Sequence, residues 1–400
     1  MEKILWKENT LPKGDKEGSI KFLNKEEVSK AKKFHESFLE YDKTPLVNLK
    51  ELSKKIGLGG IYLKDESYRF GLNAFKVLGG SFAMGKYLAD KLGEDIENLP
   101  YEKMISKEVK EELGEITFVT ATDGNHGRGV AWTANRLKQK SVVYMPKGSS
   151  LERLNNIKAE GAEASITDLN YDDAVRLANK YAEEHNGVMV QDTAWEGYEK
   201  IPAWIMQGYG TMALEAKEQL EMFNVAKPTH IFVQAGVGSL AGAIQGFFAS
   251  VYGEDCPKTV VVESNLADCY YKSAIADDGE ARAVGGDMQT IMAGLACGEV
   301  NTLGFEILKN HTKAFVSCPD WVTAKGMRIL GNPLKGDTRV ISGESGAVTA
   351  GLLYEIMIND DYKDLKEALE LNENSRVLLF STEGDTDPKK YREIVWDGSY

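Results

Sequence analysis

Strand-like and helix-like stretches alternate along most of this chain, which predicts an α/β fold built on parallel sheets. Three observations carry that expectation. From residue 116 onward, short runs rich in β-branched residues are separated by helical patterns of about ten to fifteen residues, the spacing that parallel crossovers need. Two of the runs end in glycine-rich turns, one holding Gly124 and Gly127 and the other Gly236, Gly238 and Gly242, at the carboxyl ends of strands where such sheets hold ligands. A length of 400 residues exceeds one ordinary core and predicts two or three domains.

In order, the first forty residues read as a polar arm ending in a helix over 24–41. Asn24 with Glu27 opens that helix as a capping box, and Val28, Ala31, Phe34, Phe38 and Leu39 give it one apolar face that needs a partner surface. Thr44, Pro45 and Leu46 read as an extended turn. Residues 60–64 read as a strand running through Asp65 and Glu66 into the loop that delivers Lys76, and 81–92 as a helix. Residues 94–112 are too weakly patterned for an assignment. Strands at 116–120, 141–145, 164–167 and 188–191 then alternate with helices through 130–134, 151–159 and 171–184. The alternation resumes with a helix over 204–221, a strand over 230–233, a helix over 243–251 and a strand over 259–263. A looser glycine-rich stretch, 284–298, precedes helices over 304–309 and 320–330, a helix after Ser345, another over 365–371, and an apolar strand over 376–380.

The net charge of −13 disfavours nucleic acid or an anionic membrane as a partner, yet a local nest of backbone N–H groups still suits a small anion. The beginning of the sequence interrupts its apolar residues with charge, and no run reaches the roughly 18 apolar residues of a membrane span, so a cytoplasmic location is expected. Cys256, Cys269, Cys297 and Cys318 are widely spread, which argues against zinc and for buried thiols. No metal site is expected.

Lys76, beside Phe75 and ahead of Gly79 and Gly80, reads in two ways. Desolvation in a packed pocket would make its amine nucleophilic toward a carbonyl; a snorkelling lysine at a helix start is the plainer alternative. The turn Gly236-Val237-Gly238-Ser239-Leu240 lies between a strand and a helix, the context of a phosphate cradle. Its spacing is one residue out of register for a dinucleotide fingerprint, with Glu263 the acidic residue such a reading would use, and a plain tight turn is the third possibility. In the other turn, Thr122 and its neighbouring N–H groups suit a carboxylate, whereas Asp123 would repel an anion and is either a helix N-cap or a functional group. His126 is a base or, more simply, a packing and hydrogen-bonding residue. Asp192 ends the strand at 188–191, where a ligand-facing carboxylate and a turn former are both reasonable.

The motifs Ala74-Phe75-Lys76 with Gly79-Gly80, then Thr122-Asp123-Gly124-Asn125-His126-Gly127, then Gly236-Val237-Gly238-Ser239-Leu240 resemble, in that order and spacing, the fold-type II pyridoxal-phosphate enzymes related to serine and threonine dehydratases. Four longer stretches, 69–76, 190–198, 292–299 and 381–387, resemble the diaminopropionate ammonia-lyase family in particular. The similarity runs from about residue 35 to residue 396.

That resemblance implies a tryptophan synthase β-like fold with two parallel-sheet domains, residues 1–86 with 200–400 forming the large one and 87–199 the small one, and the active site between them. It implies pyridoxal 5'-phosphate bound to Lys76 as a Schiff base, its phosphate wrapped by Gly236, Val237, Gly238, Ser239 and Leu240, and its 3-hydroxyl met by Asn125. The pyridine nitrogen would meet a hydroxyl, that of Thr382 or alternatively Ser381. The general dehydratase turn carries a small residue where Asp123 stands, so a carboxylate near the substrate's Cβ points to a β-ammonium. The family gives proton-transfer roles to the aspartates matching Asp123, for the D substrate, and Asp192, for the L substrate, with the Lys76 amine as a rival base and Thr122 on the substrate carboxylate. The expected activity is elimination of ammonia from D- and L-2,3-diaminopropionate to give pyruvate, by a homodimer. A serine or threonine dehydratase of the same fold and a non-catalytic nucleotide-binding module are the alternatives.

Overall fold

The computed structural model describes residues 2–122 and 124–400. Its strands, in chain order, are β1 (Leu5–Glu8), β2 (Leu46–Asn48), β3 (Gly60–Asp65), β4 (Thr117–Ala121), β5 (Lys140–Met145), β6 (Glu163–Ile166), β7 (Val188–Met189), β8 (His230–Gln234), β9 (Lys258–Ser264), β10 (Ala314–Cys318) and β11 (Arg376–Ser381). They form a seven-stranded sheet in the order β1-β10-β9-β8-β11-β3-β2 and a four-stranded sheet in the order β6-β5-β4-β7. The small sheet is parallel throughout. In the large one the five central strands are parallel, and β1 and β2 join its edges antiparallel.

The parallel strands are buried as continuous apolar runs because helices cover their faces. Val260, Val261 and Val262 of β9, for example, are all fully buried. The helix Lys25–Glu36 is capped by Asn24, whose side chain accepts from the Glu27 amide. Its apolar face finds the partner surface it needs: Val28 packs where Gly210 leaves room in the helix Lys200–Met222, and Phe34 where Gly85 does in the helix Val77–Leu92. Gly79 serves the same purpose, since a Cβ there would lie 2.6 Å from Ile205 and from the ring of Tyr209.

Several segments go beyond the sequence expectation. The start of the polar arm is an edge strand, β1, paired with β10 in the register Leu5↔Ser317. Strand β10 has no counterpart in the sequence reading, because its five residues carry little β-branched signal and their identity as a strand comes from the neighbours β1 and β9. Residues 94–112 fold into short helical turns, including Tyr101–Met104 and Lys107–Leu113. Asp387 caps a further helix, Pro388–Val395. Of the cysteines, Cys269 and Cys318 are buried and Cys256 and Cys297 only half-buried.

Beneath the loop that leads from β3 to Lys76 lies a fully buried charge network. Glu215 accepts from Arg69 Nη1 at 2.9 Å and Nη2 at 2.8 Å, and from the Tyr41 hydroxyl at 2.6 Å. Lys64 Nζ lies 2.6 Å from the same carboxylate, and Glu66 takes Arg69 Nε at 2.8 Å. Burial disfavours the charged Glu215, but Arg69 and Lys64 outweigh it and hold the carboxyl well below its ordinary range. The network fixes a strained loop in which Phe70, Gly71 and Asn73 all have positive φ. Removing one charge leaves the others buried without compensation. Glu215→Gln should therefore lower stability by about 3–5 kcal/mol in urea denaturation, and an unchanged midpoint would show that the network is dispensable.

Candidate active site

The carboxyl ends of five strands converge on one pocket. Loops after β3 and β11 bring Lys76 and Thr382 to it, the turn after β8 brings Gly236 to Leu240, and the small sheet contributes Thr122 and Asn125 after β4 and Asp192 after β7. All of these sequence-derived candidates line the same cavity. Asp123 lies outside the described residues.

Lys76 sits at the start of the helix Val77–Leu92, and its position is set by the backbone on either side. Phe75 donates its amide to Thr382 O at 3.1 Å, and Ala74 makes a bridge with Glu383, so the lysine loop is tied to the end of β11. The Lys76 ammonium donates to Asp192 Oδ2. Asp192 is only 2% exposed, and His126 Nδ1 stands 3.9 Å from its carboxylate. Burial would raise the Asp192 carboxyl; the Lys76 ammonium, with His126 beside it, outweighs burial and brings it down to about 2. His126 itself is anchored through Nε2 to Val190 O at 2.8 Å, in keeping with its plainer reading as a hydrogen-bonding residue.

The glycine turn is shaped by its surroundings. Gly238 has φ +96, and a Cβ there would run into Tyr270, while one on Gly236 would meet Gly294 O at 2.9 Å. Tyr270 braces the turn by donating its hydroxyl to Val237 O at 2.9 Å. Among the described residues, no backbone acceptor takes the amide hydrogens of Gly236, Val237 and Gly238, and the helix Ser239–Tyr252 begins immediately after them. Unengaged amides at a helix N-terminus in a cradle closed to side chains are what a phosphate needs, so these residues fit the phosphate of pyridoxal phosphate. The dinucleotide reading has no such support. Glu263 is fully buried and accepts from the Tyr270 and Tyr271 amides at 2.8 and 2.7 Å, away from the pocket wall.

Successive residues at a strand end face opposite ways, and this separates the two hydroxyls after β11. Ser381 donates to Ser342 Oγ at 2.8 Å, whereas Thr382 lines the pocket. Thr382 Oγ1 accepts from Gln234 Nε2 at 2.9 Å, which leaves its own hydrogen for a ligand. Thr122 is engaged in the same manner: its hydroxyl accepts from the Gly124 and Gly127 amides at 2.9 and 3.1 Å, so two N–H groups that seemed suited to a carboxylate are occupied, and the hydroxyl hydrogen is what Thr122 offers.

Three further residues escape the sequence reading. Gln234, the last residue of β8, lines the pocket. Glu383 accepts from Asn125 Nδ2 at 2.5 Å and from the Ser345 amide at 3.1 Å. Asn301 donates to Ser239 Oγ at 2.8 Å, while Ser239 donates to Asp192 O, so Asn301 braces the contact between the glycine turn and the aspartate. Asn301 lies outside the motif stretches, and Glu383, though inside the stretch 381–387, is marked as part of the site by its long-range partners.

A lysine at a helix start, a phosphate-fitting cradle and a hydroxyl aimed into the space beyond define a class of protein. The chain belongs to the pyridoxal-phosphate dependent enzyme family, which it matches over residues 38–383. Within that family it groups with the diaminopropionate ammonia-lyases: it is 57% identical to the enzyme of that name from Salmonella typhimurium over 366 residues, 91% of each chain. Its fold is similar to that of the Escherichia coli diaminopropionate ammonia-lyase in complex with D-serine, with a TM-score of 0.92 and 47% identity over 99% of this chain and 98% of that one. The same E. coli enzyme in complex with an aminoacrylate-PLP azomethine reaction intermediate gives a TM-score of 0.89 and 46% identity over 99% and 98% of the two chains.

The Lys76–Asp192 pairing has a signature in pH. The folded carboxyl titrates near 2 against an ordinary 3.8, so its contribution to stability is complete above about pH 4 and is lost as pH falls toward 2. In the cofactor-free enzyme, Asp192→Asn should cost about 2 kcal/mol near neutral pH and little near pH 2, read by denaturant unfolding at both. An equal loss at both would mean that the ion pair is not its source.

Proposed function

We propose that this enzyme eliminates ammonia from 2,3-diaminopropionate, accepting both enantiomers, and so generates pyruvate and a second ammonia. The observation that carries the reading is a buried carboxylate, Asp192, kept ionised against Lys76 Nζ in a pocket whose glycine turn suits a phosphate. Its similarity to the diaminopropionate ammonia-lyases described above supports the same substrate.

When bound, pyridoxal 5'-phosphate supplies a carbonyl for Lys76 and an electron sink for the charge left at Cα. Lys76 would hold it covalently, the amides of Gly236, Val237, Gly238, Ser239 and Leu240 its phosphate, and Asn125 its 3-hydroxyl. Thr382 would donate to the pyridine nitrogen. A hydroxyl there, unlike a carboxylate, does not keep that nitrogen protonated, which tempers charge delocalisation and favours prompt departure of a β-group.

Thr122 would orient the substrate carboxylate through its hydroxyl hydrogen. Asp192 is assigned to remove the Cα proton of the L substrate and Asp123 that of the D substrate. Asp192 suits the task because Lys76 holds it ionised in the cofactor-free protein and, once committed to the cofactor, would leave it as a desolvated base. With the Cα–H bond broken, the β-ammonium leaves as ammonia, taking the Cβ–N electron pair. The 2-aminoacrylate that remains tautomerises and adds water in solution, releasing the second ammonia and pyruvate. By the family resemblance, Asp123 would add a negative charge near the β-ammonium, which would distinguish this site from one built for a hydroxyl leaving group.

We further propose two domains, residues 1–86 with 200–400 and residues 87–199, meeting at this site. No helix of the described residues is long and apolar enough to cross a membrane. A cytoplasmic homodimer that binds a small amino acid, and neither nucleic acid nor membrane, is the assembly we assign, by analogy with fold-type II enzymes.

Two measurements test the roles. Lys76→Ala should lose the visible absorbance of the lysine-bound cofactor together with all turnover, and an unaltered spectrum would remove Lys76 from its assigned place. Asp192→Asn should lose at least about a hundredfold in kcat with the L substrate while retaining the D activity, and Asp123→Asn the reverse. Equal losses of both activities in each variant would end the two-base account.

A further inference from the structure

A second cavity, of about 350 Å³, abuts the reaction pocket. Tyr171, Val237 and Cys297 belong to the walls of both, so the two spaces are adjacent and separated by little more than those side chains. The larger part of the second cavity is one face of the helix Tyr171–Glu184, which presents Tyr171, Asp172, Val175, Arg176, Asn179 and Lys180 at helical spacing. Glu299, from the segment after the pocket wall at Cys297, faces that helix.

The partition is held from within the small sheet. Gln191 is fully buried; its Nε2 donates to the Tyr171 hydroxyl at 2.8 Å, and its Oε1 accepts from Thr120 Oγ1 at 2.9 Å and the Ala121 amide at 3.1 Å. One amide therefore ties Tyr171 both to Asp192, its chain neighbour, and to the residues that precede Thr122. A space joined in this way to the reacting groups is placed to deliver a ligand to them.

Its charges indicate which ligand. Asp172 and Glu299 both line the cavity, and burial followed by the nearness of Glu299 raises the Asp172 carboxyl above its ordinary value. The cations present do not relieve that repulsion fully. Arg176 gives Nη1 to Asp173 at 2.7 Å, with Nη2 3.8 Å from Glu299, and Lys180 lies 3.7 Å from Glu184. An incoming ammonium between Asp172 and Glu299 would complete the neutralisation.

We propose that this cavity is the antechamber through which substrate reaches Lys76, and that Asp172 and Glu299 capture there the ammonium groups of a small diamino acid. The proposal rests on the reaction assigned above, and it adds a recognition step outside the reaction pocket. Neither carboxylate touches the reacting atoms, so their role is capture, visible in KM and in the salt dependence of kcat/KM rather than in kcat.

The test is steady-state kinetics of the holoenzyme with 2,3-diaminopropionate at low and high salt, comparing the wild type with Asp172→Asn/Glu299→Gln and with Glu299→Lys. Both positions are at least partly exposed, so the variants should fold. The double variant should raise KM about tenfold, hold kcat within about twofold, and flatten the salt dependence of kcat/KM, with a larger KM effect for Glu299→Lys. Unchanged KM and salt dependence in variants of an active enzyme would overturn the antechamber alone, as would a loss of kcat at unchanged KM. A wild type that produces no pyruvate from diaminopropionate would overturn both this proposal and the reaction on which it rests.

Discussion

A buried carboxylate and a nearby ammonium each lose several kcal/mol of hydration, and they persist only if they meet at contact and are held there by further hydrogen bonds. Lys76 and Asp192 satisfy that condition across the two sheets. The lysine comes from the loop after β3 and the aspartate from the end of β7, so the pair links the large sheet to the small one at the pocket. Much of the surrounding architecture can be understood as support for this contact. Asn301 and Ser239 secure the aspartate's backbone, and the buried Glu215, Arg69, Glu66 and Lys64 secure the loop that carries the lysine.

The same pair explains how one site can serve two successive roles. In the cofactor-free protein the ammonium compensates the carboxylate and the protein gains stability. On the proposed reading, once the amine is committed to a carbonyl the carboxylate would remain as a desolvated base, a state that favours proton abstraction.

Much of this was legible in the sequence because the signals are local. The alternation of strand and helix, the glycines of the turn after β8, the capping pattern at Asn24 and the position of Asp192 at a strand end depend on residues close together in the chain, and each expresses a backbone requirement. Other features depend on partners hundreds of positions away. Strand β1 exists because β10 lies beside it, Glu383 matters because Asn125 points at it, and Thr382 rather than Ser381 lines the pocket because of which way the end of β11 faces. Glu263 shows the converse: its position in sequence allowed a ribose-binding role, and its burial against two helix-start amides removes it from the wall of the site.

The central claim is that a lysine-bound cofactor and an ionised carboxylate act together on a substrate with an amine at Cβ. The most direct measurement is the visible spectrum of the purified enzyme during addition of D- and then L-2,3-diaminopropionate, with pyruvate and ammonia quantified in the same samples. The account predicts a cofactor band that is perturbed by each enantiomer and two ammonia released per pyruvate. A protein without that band, or one that converts serine readily and leaves diaminopropionate untouched, would contradict it.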